Sequence, residues 1–325
     1  MNRLYVVENR FTVTGGMAEH RLRVPVSQIG AVALELAAEI FAMGKDEALG
    51  KLAGTAPKAS REWIKITAQD LVANKGKCLV LAGSRQPAGV QALVLAINSA
   101  LGNLGKTIVG RKSAAKPAAT IAEVARGLGD KSISSIIIVG GNPIYNAAAD
   151  LDFAAKLKNV ANVVRVGFYE DETGDFATWQ VPLAHYLESW GDGIGTDGSY
   201  VSVQPMILPL YGGWSELDVL AKFAGLKKPD GPELVQETFF KQTAQPTDFV
   251  TAWAKFLHDG FLADSAAKPA ELAFSSEAVG KLAAQIAAPA LEGDTYEVVF
   301  VGDAKVDDGR YSNNGWLQED RKSVV

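Results

Sequence analysis

Two short turns are where this sequence could meet a charged ligand. Gly83-Ser84-Arg85 and Gly140-Gly141-Asn142-Pro143 each follow an apolar run and precede a helical stretch. In open parallel sheets, ligands collect at the carboxyl ends of the strands. Glycine lets the backbone approach them closely, and a helix N-terminus favours an anion. Arg85 would add a charge-assisted bond to a phosphate. On this chemistry Gly83, Ser84, Arg85, Gly141, Asn142 and Pro143 are the candidate dinucleotide contacts. The competing reading is geometric, because any strand-to-helix turn uses Gly, Ser, Asn or Pro simply to turn. No Gly-x-Gly-x-x-Gly follows a strand, so the usual dinucleotide fingerprint is missing.

Other reactive residues are sparse. His185 and Glu188 stand three apart and would share one face of a helix, as half a metal site or an acid/base pair. His20 and His258 are distant in sequence, so the commoner role of a lone histidine, hydrogen-bonded and structural, is preferred. The acidic loop 170–175 matches no calcium-loop spacing and reads as a solvated turn. The glycines of 191–195 follow no strand. There is no Gly-x-Ser-x-Gly, Walker A or His-Glu-x-x-His motif. The one cysteine, Cys78, lies in an apolar run and reads as a small core residue. One thiol permits no intrachain disulfide and no cysteine-ligated cluster within this chain. The residues alone therefore name no reaction.

The elements that would carry these turns follow from periodicity. Apolar residues at helical spacing predict a helix over 26–41, with Ser27 as N-cap and Gly44 as stop. A second helix, opened by Ser60, is predicted over 61–72. Then a buried strand 77–82, a helix 90–101 and a strand 106–109 make a strand–helix–strand unit. After a linker at 111–118 the pattern repeats: helix 120–128, strand 133–139, helix 147–157, strand 163–167 and a short strand at 179–182. A Gly-rich loop is expected over 189–200, followed by a strand at 200–203. Helices are predicted over 214–224, 231–241, 246–258 and 276–286, then a last strand over 295–301 and a turn at 307–309. The expected fold class is α/β: Rossmann-like three-layer domains with a mostly parallel sheet. The expected domains are 1–112, 113–294, and 295–325 as the start of a following region.

Composition narrows the partners. Across 325 residues, 48% are hydrophobic and 21% charged, which supports a sizeable core and excludes global disorder. A net charge of −5 argues against nucleic acid, which demands a basic face. The loose cluster of Lys51, Lys58, Arg61 and Lys65 reads as a solvated face. Neither a signal peptide nor direct membrane insertion is expected, so a partner or a missing segment would hold the protein at any membrane where it works.

The chain resembles the molybdopterin oxidoreductase superfamily of formate dehydrogenase and dimethyl sulfoxide reductase. The segments that carry the likeness are Ala-Gly-Ser-Arg-Gln-Pro at 82–87, Leu-Gly-Asn-Leu-Gly-Lys at 101–106 and Ile-Ile-Ile-Val-Gly-Gly-Asn-Pro at 136–143. Glu-Thr-Gly-Asp-Phe-Ala at 172–177, Val-Pro-Leu-Ala at 181–184 and Leu-Glu-Ser-Trp-Gly at 187–191 follow in order. Within that superfamily it looks most like the molybdopterin-like iron–sulfur subunit of quinol-oxidising alternative complex III. That narrower likeness rests on Met-Asn-Arg-Leu-Tyr-Val-Val-Glu at 1–8 and His-Tyr-Leu-Glu-Ser-Trp-Gly-Asp at 185–192. It also rests on Ser-Val-Gln-Pro at 202–205, Pro-Leu-Tyr-Gly at 209–212 and Asp-Gly-Arg-Tyr-Ser-Asn-Asn-Gly-Trp-Leu-Gln at 308–318. The likeness thins over 225–290 and fades after Glu319.

This resemblance implies an internal piece of a longer chain, with iron–sulfur clusters only in a downstream part. It implies that the two turns lie near paired molybdopterin guanine dinucleotides in catalytic relatives, and that in the quinol-oxidising group the cofactor site is empty and the module is a scaffold. Partners would be other subunits of a membrane redox complex, and the location periplasmic. Catalytic relatives read Ala-Asp-Val-Val-Leu-Pro where this chain has Ala177-Thr178-Trp179-Gln180-Val181-Pro182. The acidic residue is lost, and an indole stands where it could fill cofactor space. The expectation is thus a non-catalytic scaffold without cofactor. The alternatives are a fragment of an active bis-molybdopterin guanine dinucleotide enzyme, or a free-standing Rossmann-like enzyme with its own small ligand.

Overall fold

The computed structural model describes residues 2–44, 61–112, 118–226, 230–243, 246–272, 275–286, 293–294 and 296–319. In chain order the elements are β1 (Tyr5–Glu8), α1 (Val13–Gly16), β2 (His20–Arg23), α2 (Ile29–Gly44), α3 (Glu62–Ala73), α4 (Ala88–Ala100) and α5 (Ile121–Gly129). Next come β3 (Ser135–Val139), α6 (Pro143–Asn146), α7 (Phe153–Leu157), β4 (Asn162–Gly167), β5 (Trp179–Pro182), β6 (Gly191–Ile194) and β7 (Tyr200–Val203). The last helices are α8 (Glu216–Phe223), α9 (Gly231–Gln242), α10 (Phe249–Asp259) and α11 (Ser276–Ala283). They belong to two compact units: Met1–Lys112 with Lys268–Val301, and Ser113–Ala267 with Gly302–Val325. The fold is mixed α/β with parallel sheets.

In the first unit β1 and β2 pair in parallel, Tyr5 opposite His20. The core is helical. Leu34, Ala37 and Ile40 of α2 recur every three residues and meet Ala68 of α3, Leu93 and Ile97 of α4, and Val279 and Ala283 of α11. Gly89 lets α4 and α11 meet, because a Cβ there would strike the carbonyl oxygen of Leu282. By length and composition Val26–Gly44 is apolar enough to cross a membrane, which the expectation of no membrane insertion did not credit. In this unit the same segment is a core helix, whose buried Glu35 is paired with Arg61 at 3.2 Å.

Several expectations fail in this unit. Ser27 is not an N-cap: it lies inside a 3-10 turn, Val26–Gln28, and its hydroxyl is buried without a partner. Ser60 lies outside the described residues, and the N-cap of α3 is Arg61. Neither 77–82, 106–109 nor 296–301 belongs to a paired strand. The backbone groups of Val80 are instead taken by the side-chain amide of Asn98, at 3.0 and 2.7 Å, and the carbonyl of Cys78 by Thr107 Oγ1 at 2.7 Å. The stretch 268–294, expected in the second domain, returns to the first unit because α11 packs its apolar face there.

In the second unit β3, β4 and β5 form an all-parallel sheet in that order, Ile137 opposite Val164 and Val164 opposite Trp179. Helix α5 is started by a reciprocal capping box between Thr120 and Glu123. It packs Ala125 and Leu128 against Ile138, Val163, and Phe153 and Leu157 of α7. The loop expected over 189–200 is half strand: β6 pairs antiparallel with β7, Gly191 opposite Val203. Glycines 191 and 193 weaken the strand pattern in the sequence, and burial of Tyr200 against Phe256 and Phe239 restores it.

Candidate functional site

The turn after β3 is built by glycine and locked by its neighbours. Gly140 has φ +75°, which glycine adopts at no steric cost. Its amide donates to the Val166 carbonyl at 2.9 Å, and no atom would contact a Cβ at Gly140 or Gly141. The backbone is therefore open to approach. Asn142 is not. Its Nδ2 donates to Glu172 Oε2 at 2.8 Å, and its Oδ1 accepts from Thr173 Oγ1 at 2.6 Å. Pro143 starts α6, whose Ile144 amide donates to Thr173 Oγ1 at 3.2 Å.

Beneath the turn lies Arg165 of β4, 1% exposed. Its Nη1 donates to the Val166 carbonyl at 2.7 Å, and its Nε and Nη2 bind the carboxylate of Asp171 side by side. Burial raises the pKa of Asp171, but the Arg165 guanidinium and the Gly174 amide outweigh it and hold the carboxyl below its usual range. The Asn142 amide likewise holds Glu172 below its usual range. Two ionised carboxylates thus border the turn at neutral pH, and the guanidinium of Arg165 beside it is already engaged by Asp171. A phosphate approaching the open glycines would meet the charge of Glu172, so these residues do not fit an anionic dinucleotide.

The turn at 83–85 differs. The expected strand before it is unpaired, yet its chemistry is more open. Nothing would contact a Cβ at Gly83, whose carbonyl accepts from Gln91 Nε2 at 2.7 Å. Ser84 and Arg85 are exposed and make no hydrogen bond or ion pair among the described residues. The N-cap of α4, Pro87, offers no side-chain bond. Gly83 and Arg85 line a cavity of about 1140 Å³ within the first unit, together with Tyr5, Trp63, Asp70 and Leu81.

His185 and Glu188 are structural. His185 caps a short 3-10 turn: its Nδ1 accepts from the Leu187 amide at 3.3 Å, and Glu188 accepts from the amides of His185 and Leu210 at 2.9 and 3.1 Å. Those two amides hold Glu188 below its usual pKa. Among the described residues no three His, Cys, Asp or Glu side chains converge as metal ligands would. Trp179, the indole that the sequence reading set in cofactor space, is 69% exposed on β5. Thr178 accepts from the Val163 amide at 3.1 Å and ties β5 to the start of β4.

Sequence reasoning missed the locking set Arg165, Asp171, Glu172 and Thr173. The loop 170–175 was expected to be solvated, yet Thr173 is fully buried. The signal was an arginine inside the apolar run 163–167, because a buried guanidinium requires a nearby carboxylate.

No protein-family model and no curated protein sequence matches the chain. Comparison with solved structures bears on the fold alone, which is mixed α/β with parallel sheets. One solved structure of like fold is acetylene hydratase from Pelobacter acetylenicus, with a TM-score of 0.54 and 13% sequence identity. The match covers 69% of this chain and 43% of that one, so this chain spans less than half of its neighbour's length.

Proposed function

We propose that this chain is a molybdopterin oxidoreductase-like module that acts as a non-catalytic scaffold in a membrane-associated quinol:electron-acceptor oxidoreductase of the alternative complex III kind. The observation that carries the reading is the blocked turn at 140–143. Its glycines keep the geometry of a strand-end ligand site, while Asn142 is bound by Glu172 and Thr173 and the turn is edged with negative charge. The likeness in fold to acetylene hydratase supports the coarser part of the proposal. The narrower part, with redox subunits as partners and a periplasmic location, is supported by the segments at 1–8, 185–192, 202–212 and 308–318. Molybdenum, tungsten and pterin measured in the protein purified from its native membranes test it. The expected result is less than one tenth of an equivalent of each, and stoichiometric cofactor overturns the scaffold reading.

A second reading, a segment of an active dinucleotide-dependent enzyme, is favoured by one observation: the turn at 83–85 keeps an open glycine and an arginine with no ion pair among the described residues. It requires a guanine nucleotide to bind there, and Arg85→Ala to weaken that binding by about 1–3 kcal/mol, the cost of losing a charged hydrogen-bond partner. Calorimetric titration with guanosine diphosphate decides between the readings, since a scaffold gives no saturable heat.

A further inference from the structure

From Lys77 to Ala82 the chain alternates exposed and half-buried residues, with Cys78, Val80 and Ala82 turned inward and Leu79 and Leu81 outward. That is the period of a strand, in which the backbone groups of alternate residues point to opposite edges. One edge is closed by side chains, since Asn98 holds both polar groups of Val80 and Thr107 holds the carbonyl of Cys78. The other edge is open: Leu79 and Leu81 make no hydrogen bond among the described residues, and Leu81 is 77% exposed.

This open edge borders the 1140 Å³ cavity of the first unit. Tyr5 and Val7 of β1 line the same cavity, and β1 pairs with β2 alone among the described residues. Val299 and Phe300 also line it, from a second apolar stretch that forms no strand and leaves Phe300 89% exposed. Trp63, another lining residue, buries its Nε1 without a partner among the described residues. Unpaired backbone groups and apolar side chains around one slot are what a sheet shows where a strand is missing.

Charge selects the occupant. The cavity carboxylates Glu8 and Asp70 are already paired with Arg21 and Arg3. Arg10, Lys77 and Arg85 line the same cavity with no ion pair among the described residues. We propose that this slot takes an extended polypeptide segment from outside the chain, apolar at alternate positions and carrying a carboxylate, which adds as a strand along Leu79 and Leu81. The inference rests on the first unit alone and not on the redox reading, so either can fail without the other.

The probe is a six-residue acetylated peptide alternating valine and threonine, with glutamate at its start, added to the whole chain. Amide hydrogen exchange at Leu79 and Leu81 is expected to slow by about tenfold or more at saturation, with a change in Trp63 fluorescence. The same peptide N-methylated at alternate amides, which cannot pair along an edge, is expected to bind at least about tenfold more weakly. Lysine in place of the glutamate should also weaken binding. Unchanged exchange, or equal binding of the methylated peptide, overturns the proposal. So does protection of both amides in the free chain: independent of concentration, it means that the chain fills its own slot, and rising with concentration, that a second copy does.

Discussion

At the scale of single residues, the second unit turns on Arg165. A guanidinium 1% exposed in a β-strand is tolerated because Asp171 meets it side by side and two main-chain carbonyls take further N–H groups. Removing one partner leaves the other charge uncompensated, so Asp171→Ala should cost about 3–5 kcal/mol, read as a drop in the urea midpoint. The acid response follows from direction. Asp171, Glu172 and Glu188 all titrate below their usual values in the folded chain. Such carboxylates contribute stability above their unfolded pKa, at about 4, and that contribution fades as the pH falls through the lower folded values. Unfolding midpoints measured between about pH 6 and pH 2 should therefore decline most below about pH 4, and Asp171→Asn should flatten part of that decline. An unchanged slope in the variant would remove Asp171 from this role.

At the scale of elements, helices were legible, and so were strands at 135–139, 162–167, 179–182 and 200–203 of the second unit, but not at 77–82 or 106–109 of the first. The apolar period of α2, the Thr120 and Glu123 box of α5 and the Ser215 cap of α8 are local signals, and all three helices form close to their expected bounds. A strand needs a neighbour, which no local pattern supplies. Segment 77–82 is as apolar as 135–139, yet only the second finds a parallel partner, in β4. The side chain that replaces the missing partner, Asn98, is 1% exposed and also accepts from Asn103 Nδ2 at 2.9 Å. Asn98→Ala should thus cost at least about 1–3 kcal/mol, since it strands the backbone groups of Val80 and the amide of Asn103. Gly89→Ala should destabilise by about 1–3 kcal/mol through overpacking against α11. Thermal unfolding followed by circular dichroism measures both, and a neutral Gly89→Ala would mean that α4 and α11 separate at little cost.

At the scale of the whole molecule, the site was half visible in sequence. Positions 83–85 and 140–143 were marked by their turn chemistry, which is local. The side chains that close the second turn come from 165–173, across a sheet register that no spacing reveals. On the scaffold reading, Glu172→Gln should leave guanosine diphosphate titration as flat as in the parent chain, because Asn142 stays engaged by Thr173. Saturable binding in the variant alone would show that the carboxylate was the only barrier. The path of the chain has a last consequence. It leaves the first unit after Lys112, builds most of the second, comes back at Lys268 and departs again after Val301. On the ribosome, the helix core around Leu93 and Ile97 must wait for Val279, which emerges some 180 residues later; at about 5–20 residues per second that is roughly ten seconds or more. During that interval nascent chains would present a greasy, unfinished surface, which makes this polypeptide a natural client for chaperones that bind during translation.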